Sequence, residues 1–460
     1  MTGRMSKLIL SILMVTAAAA VSSDYLPDYT QFTLENGFRV VMIEDHQQPT
    51  VTMAVLFRTG PSSDPPELAG RAILTGYIMK ETTRNFPGNS LLEAIDSVGG
   101  WVDAIVQSKD ALIFEGDFLS RDIGLALWLM SDIVINPVFT EEGLQRMVRR
   151  LVSINKQTRS VAEYRLSETL HKRIFGECGY GSPILGTQSS LESITLEDVG
   201  MFHQDHIRPE NAVMVIGGDF KPESVRGLVS RHFSSWKKGG KRLPVSCRPM
   251  PHDSLSIYLI DNPSIPSANF MIGLPGTPVG SKDFPVMLVL NYLLGGSGRI
   301  SRLHRSLVED KELASMITSE LDWSHGEGLF RIYGASPSDI TAQTISQALE
   351  VVSDLRKIRI PQKELDEALY YFQGYAPTLY ENVVLSIDQF VRFLSMNVDL
   401  PYQQKILTEI NGLTPLAIQA AAEKYLAPEK MTIVVIGPQT QLLPSLSPLG
   451  PVEMIGLEED

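Results

Sequence analysis

The chain repeats itself once. Ile194, Thr195, Asp198, Phe202 and Pro209 lead into Ala212-Val-Met-Val-Ile-Gly217, and Leu413, Thr414, Ala417, Ala421 and Pro428 lead into Thr432-Ile-Val-Val-Ile-Gly437. Each passage reads as a Thr N-cap, an amphipathic helix, a Pro-Glu turn and a β-branched strand that stops at Gly. The offset is 219 to 220 residues. A second pair, Pro137-Val-Phe-Thr140-Glu-Glu-Gly-Leu144 against Ile360-Pro361-Gln-Lys-Glu-Leu365, falls at offset 221 and opens a helix in both copies, with Thr or Pro at the entry and acids in the first turn. Two matches at nearly one offset mean a tandem duplication, and two copies of one unit form two like domains. The expected division is 24–235, a linker at 236–253, and 254–460. Within the linker, Trp236 to His252, Gly, Pro and the cations Lys237, Lys238, Lys241 and Arg242 read as a solvated connector.

Inside each half, strands and helices come in runs. Phe32 to Ile43 reads as a hairpin with an Asn36-Gly37 turn, Val51 to Phe57 as a buried strand, and Ala104 to Asp117 as a strand pair about Ser108-Lys-Asp110. Leu68 to Glu81, Ser90 to Val98, Arg121 to Ile135 and a long stretch from Thr140 to Ile174 read as helical. Hairpins and helix pairs in runs predict α+β: a mostly antiparallel sheet in each half with helices packed on one face.

Residues 1–23 read as a leader. Arg4 and Lys7 precede an apolar run from Leu8 to Val21, and small residues follow, which is the pattern of a secretory signal peptide. No later stretch reaches the length of a spanning helix, so the expectation is an exported, periplasmic protein with no stable membrane insertion after cleavage. The net charge of −13 argues against a nucleic-acid partner held by bulk positive charge. Two cysteines, Cys178 and Cys247, are too few for a disulfide framework or a cysteine zinc site; an oxidising compartment allows them to pair but does not demand it.

Several ordered segments then carry a resemblance. Tyr180-Gly-Ser-Pro-Ile-Leu-Gly-Thr187, Ile194-Thr195, Phe202-His203, Arg208-Pro-Glu-Asn211 and Gly217-Gly-Asp-Phe220, with Leu293-Leu-Gly-Gly-Ser-Gly298 and Ser301-Arg302-Leu303 in the second half, resemble the pitrilysin/insulinase-type zinc peptidases. Among them the chain looks most like a non-catalytic bacterial subunit related to those of the mitochondrial processing peptidase. The resemblance implies two halves facing each other as a clam shell, with peptides handled in the hollow between them.

The active members bind zinc through two His at i and i+4 on one helix, use a Glu between them as general base, and take a third ligand from a Glu on a later helix. Here those positions hold Ile73, Tyr77 and Gly76, and no acid stands near Ser153 to Asn155. Ile73 has no lone pair, Tyr77 is protonated at neutral pH, and Gly76 cannot move a proton. The expectation is no metal, no cofactor and no catalytic residue of the family's type. The family's Arg and Tyr pair after the glycine-rich segment is also replaced, by Val308 and Ser315. Gly295, Gly296 and Gly298 lack the Lys-Ser/Thr of a phosphate loop. Ser297 and Ser301 lack a nucleophile elbow. His203 and His206 read as packing residues, and His171, beside Lys172 and Arg173, as part of a solvated helix face.

What survives is a strand. Val102, Asp103, Ala104, Ile105 and Val106 resemble the family's edge strand, which pairs with extended peptide, and backbone pairing needs no metal. The expected function is an inactive homologue that pairs with an active zinc peptidase, or with itself, and helps bind peptide. A stand-alone periplasmic peptide-binding or scaffold protein, and a peptidase using other residues, are the alternatives.

Overall fold

A computed structural model describes residues 25–239, 247–250 and 253–456. The leader, part of the linker and Leu457 to Asp460 lie outside the described residues. The strands of the first half are β1 Thr30–Thr33, β2 Arg39–Glu44, β3 Thr50–Phe57, β4 Trp101–Ser108, β5 Ala111–Leu119 and β6 Ala212–Gly218; those of the second are β7 Ser256–Asp261, β8 Ser267–Pro275, β9 Met316–Leu321, β10 Leu329–Pro337, β11 Thr432–Gly437 and β12 Val452–Ile455. The first-half helices are α1 Arg71–Met79, α2 Ser90–Ser97, α3 Ile123–Ile135, α4 Glu141–Arg159, α5 Ala162–Phe175, α6 Gln188–Ser193, α7 Leu196–His206 and α8 Pro222–Phe233. The second half carries α9 Phe284–Asn291, α10 Arg302–His304, α11 Thr341–Lys357, α12 Gln362–Thr378, α13 Val383–Ser395, α14 Tyr402–Asn411, α15 Pro415–Tyr425 and α16 Gln439–Leu446.

The strands form two six-stranded sheets, ordered β1-β2-β6-β3-β5-β4 and β12-β7-β11-β8-β10-β9. Both are antiparallel apart from the β2–β6 pair in the first and the β7–β11 and β7–β12 pairs in the second. The internal repeat supplies equivalent parts. Thr195 caps α7 with a capping box completed by Asp198, and Thr414 caps α15 at Ala417. Each helix leads through a Pro-Glu turn into a fully buried strand, β6 or β11. The outermost strand is where the halves diverge. β1 arrives through the Asn36-Gly37 turn, with Gly37 at φ 90°, whereas β12 is the last described strand and joins in parallel.

Each half lays its own helices on one face of its sheet. Val51, Met53, Val55 and Phe57 of β3 and Met214 and Ile216 of β6 face a core shared with α1, α2, α3, α7 and α8. The alternate residues, Ala54, Leu56, Val213 and Val215, face the other way, against Ile387, Phe390, Val391 and Leu394 of α13, a helix of the second half. The second sheet is covered reciprocally: Met271, Val434 and Ile436 pack on Leu166, Leu170 and Ile174 of α5, a helix of the first half. The helical stretch beginning at Thr140 therefore breaks at Ser160 and Val161, where Val161 turns extended, so that α5 can leave its own half and cross to the other.

Two expectations shift for related reasons. Trp236 is no linker residue: it is 4% exposed and packs edge-on against Phe38 in the first core. His171 does not lie on a solvated face, because α5 is pressed between the halves; its side chain is 12% exposed.

Cys178 and Cys247 are joined in a disulfide across 69 residues of sequence. The bond fixes the later part of the inter-domain connection beside Tyr180, whose N–H points at Cys247 Sγ (3.4 Å). Closing a loop of that length restricts the unfolded chain, so Cys178→Ala with Cys247→Ala is expected to cost about 2–4 kcal/mol. Urea midpoints of the oxidised, reduced and double-alanine proteins measure it; coincident midpoints would contradict the expectation.

Candidate functional site

The helix that carries positions 73, 76 and 77 is tied down at its start. Asp64 accepts the Ala72 N–H (3.0 Å) and lies 3.4 Å from Arg71 Nε, and its burial pushes the carboxyl up to about 7 in spite of both partners. Beyond that cap, α1 packs against α4, α7 and β4.

Ile73 is 3% exposed in an apolar cluster with Leu74, Ile78, Met147, Leu151 and Val199, and Tyr77, Val106 and Val148 pack onto that cluster. A Cβ on Gly76 would stand 2.8 Å from Leu112 Cδ1 and 3.4 Å from Ala104 Cβ. Helix and hairpin therefore touch at Gly76, the position that the resemblance matches to the family's general base. The Tyr77 ring has Lys80 Nζ at 5.6 Å and the Arg150 guanidinium at 5.5 Å. Burial, aided by the Asp103 carboxylate, raises the Tyr77 hydroxyl above its ordinary pKa. On α4, Asn155 donates its amide to the Gly186 carbonyl and is buried.

Zinc does not fit this arrangement. Ile73 is apolar, position 76 is closed by contact, α4 offers at 155 an amide already in use, and two cations lie over the Tyr77 ring. Among the described residues no group of three or more His, Cys, Asp or Glu is placed to hold a metal ion. His203 Nε2 bonds the Val134 carbonyl (3.0 Å) and His206 Nδ1 meets Thr59 Oγ1 (3.2 Å), so the two rings serve separate packing contacts.

The strand beside α1 keeps its outer edge. β4 ends its sheet and pairs only with β5, from Trp101 opposite Asp117 to Ile105 opposite Ile113, with a register shift before Ser108. Val102, Ala104 and Val106 pack toward the helix layer. Asp103 forms an ion pair with Lys80 and sits across from Glu115. Burial, with the charges of Asp388 and Asp117, pushes the Glu115 carboxyl up to about 7.

In the second half the glycine-rich segment lies against the equivalent edge strand, β9. A Cβ on Gly295 would stand 2.4 Å from Ser319 N, and one on Gly296 2.7 Å from Asn291 Nδ2; Gly298 sits at φ 61°. Close approach and turn geometry account for these glycines. Val308 packs on the second core, and Ser315 Oγ donates to the Ala335 carbonyl (3.2 Å). Neither offers a group for a reaction.

Between the halves is a cavity of about 630 Å³ to which Ser108, Lys109, His171, Asp322, Trp323 and Arg331 contribute; Ile73, Gly76 and Tyr77 do not line it. The sequence reading passed over its polar network. Lys109 donates to the Tyr180 and Ser182 carbonyls. Tyr180 donates to Asp110 (2.7 Å) and accepts from Gly326 N–H (2.8 Å), while Asp110 accepts from His325 N–H (2.8 Å). The β4–β5 tip is thereby bonded to the β9–β10 loop. Burial lowers Lys109 to about 8. Burial opposes ionisation of Asp322, but His171 and Arg331 outweigh it and hold the carboxyl down near about 2. The polar Ser108-Lys-Asp110 between two apolar strands was the available signal.

Comparison with known proteins agrees with this geometry. The family profile described as "Insulinase (Peptidase family M16)" matches residues 39–188, and "Peptidase M16 inactive domain" matches 193–369. The Bacillus subtilis protein YmxG, named an uncharacterized zinc protease, is 25% identical over 75% of this chain and 82% of its own length. A probable mitochondrial-processing peptidase subunit beta of Arabidopsis thaliana is 23% identical over 90% of this chain and 79% of its own. A crystal structure of a protease from Helicobacter pylori superposes with a TM-score of 0.83 at 20% identity, covering 90% of this chain and 100% of that one. A peptidase M16 inactive domain from Pseudomonas fluorescens gives 0.81 at 23% identity, covering 89% and 98%. With the two profiles together spanning well over half its length, the chain belongs to the insulinase family of peptidases, M16, and its α1 carries neither imidazole nor carboxylate.

Proposed function

We propose that the protein is an exported, non-catalytic subunit that pairs with an active zinc peptidase of its own family and holds extended peptide along β4. The observation that carries this reading is the pairing of a closed site with an open edge. Ile73, Gly76 and Tyr77 are absorbed into packing, while Val102 to Val106 lie on a sheet edge with no strand beyond it, where the Ala104 N–H is met by the Asp103 carboxylate (2.8 Å). A peptide added to that edge gains main-chain hydrogen bonds whatever the fate of the metal. The Arabidopsis relative is named as a subunit, which supports a paired arrangement. The leader-like residues 1–23 support export to the periplasm.

The test mixes the chain from residue 24 with a peptidase of the same genome that has an intact H-x-x-E-H. The expected result is a stable complex on gel filtration and several-fold faster peptide cleavage than by the peptidase alone. No complex and no change in rate would overturn the reading, and peptide binding without the partner would favour a stand-alone binder. Proline scanning of Val102 to Ile105 locates the contact. Only alternate residues of an edge strand point N–H groups outward, so prolines in one alternate set should abolish the rate gain and leave the fold intact.

A further inference from the structure

Where α12, α13 and α14 meet is a cavity of about 110 Å³, with no residue of β4 in its wall. Six aromatic rings contribute to that wall: Tyr25, Trp323, Phe372, Tyr375, Tyr380 and Phe393. Leu, Ile and Ala side chains make up most of the rest. Trp323 and Phe393 meet edge to face with centroids 5.5 Å apart. Tyr375 and Leu407 are partly exposed, so the cavity opens to solvent beside them. Among the described residues no Asp, Glu, Lys, Arg or His lines it.

Two polar atoms of this wall are left over by the packing around them. Tyr380 Oη and Gln403 Oε1 are buried and meet no hydrogen-bond partner among the described residues. Gln403 is 8% exposed. Tyr25 Oη donates to the Gln403 backbone carbonyl (3.3 Å), so it serves the main chain and not the side-chain oxygen. Burial raises the Tyr380 hydroxyl above its ordinary pKa, so it keeps its proton and can donate. Buried polar atoms in folded proteins are nearly always bonded, because an unmet one carries its full desolvation cost.

Size and chemistry narrow what could answer both atoms. An apolar cavity of about 150 Å³ admits benzene, so a somewhat smaller one with an open side suits a single ring. Aromatic walls favour an aromatic ring over an aliphatic one through edge-to-face contacts. Gln403 Oε1 accepts only, whereas Tyr380 Oη can donate, and a hydroxyl both donates and accepts. A carboxylate would be buried in this cavity without a cation to meet it.

We propose that this cavity is a binding site for a small neutral phenol, whose ring lies among Trp323, Phe372 and Phe393 and whose hydroxyl donates to Gln403 Oε1 while it accepts from Tyr380 Oη. The site is independent of peptide pairing along β4 and of any partner subunit.

The probe is phenol itself, titrated calorimetrically into the chain from residue 24, with toluene and benzoate alongside. Toluene has the shape of phenol without the hydroxyl, and benzoate adds a charge. Phenol is expected to bind one to one and at least tenfold more tightly than toluene, and benzoate not to bind. Leu407→Trp fills the cavity from a partly exposed position and should abolish phenol binding. Tyr380→Phe and Gln403→Met each remove one of the two polar atoms, and each should weaken phenol several-fold without weakening toluene. Tyr380→Phe should also melt no lower than the unsubstituted chain, since its hydroxyl has no bond to lose in the free protein. That variant deletes a single atom, so the test stands whether or not Leu407→Trp folds. Phenol no tighter than toluene, phenol binding undiminished in a folded Leu407→Trp, or a melting temperature several degrees lower in Tyr380→Phe would each overturn the assignment.

Discussion

Ile73→His combined with Gly76→Glu and Tyr77→His, which writes the family's zinc motif back onto α1, is expected to give a much less stable protein that still holds no zinc. Even the first atom of the new Glu side chain lands 2.8 Å from Leu112 Cδ1. Overpacking of that kind costs about 1–3 kcal/mol. The carboxylate then faces Leu112 and Ala104, while Lys109 at the hairpin tip is already bonded to the Tyr180 and Ser182 carbonyls; burying an unpaired charge costs several kcal/mol more. His at position 73 places a polar ring in the apolar cluster of Leu74, Met147 and Leu151. The loss should exceed about 4 kcal/mol, a large share of the 5–15 kcal/mol that ordinarily separates folded from unfolded chains. Two imidazoles do not make a structural or catalytic zinc site, and Asn155, already bonded to Gly186, brings no third ligand. Denaturant unfolding and metal analysis after dialysis read both results. One equivalent of zinc at undiminished stability would mean that the site is merely dormant.

Phe390→Ala is expected to cost about 3–5 kcal/mol, the usual range for removing a fully buried aromatic ring. Phe390 is 0% exposed and belongs by sequence to the second half, yet it packs with Ala54, Leu56, Ile113 and Val215 of the first sheet. The vacancy opens between the halves, so loss of protection in hydrogen exchange should appear in β3, β5 and β6 as well as in α13. Leu166→Ala on α5 is the mirror experiment and should expose β8 and β11. Damage confined to the substituted helix would contradict the reciprocal packing.

Much of this was legible in the sequence because it is written locally. Thr195 and Thr414, each three residues before the N–H that they cap, mark helix starts wherever the helix goes afterwards. Asn36-Gly37 fixes a hairpin, and the loss of chemistry at Ile73, Gly76 and Tyr77 needs no structure to be seen. What stayed hidden depends on contacts between distant segments. Nothing in the periodicity of Ala162 to Phe175 says which sheet it will cover, so His171 was read as facing water. The unbroken apolar runs of β6 and β11 did hold a clue, since a strand with one solvated face alternates and these do not. The covalent link between Cys178 and Cys247 was open for the same reason: two thiols in a sequence carry no distance.

The exchanged helices also bear on how such a chain is made. Its first half leaves the ribosome with Val41, Ala54, Leu56, Val213 and Val215 bare on one surface, because the helix that shields them is synthesised only after much of the second half. An early, independent collapse of that half would end in a sticky intermediate. Under the export proposed above, translocation in an unfolded state, with both copies delivered before either closes, avoids that hazard. A gene cut at the connection between them would yield two fragments, each bearing the other's missing lining.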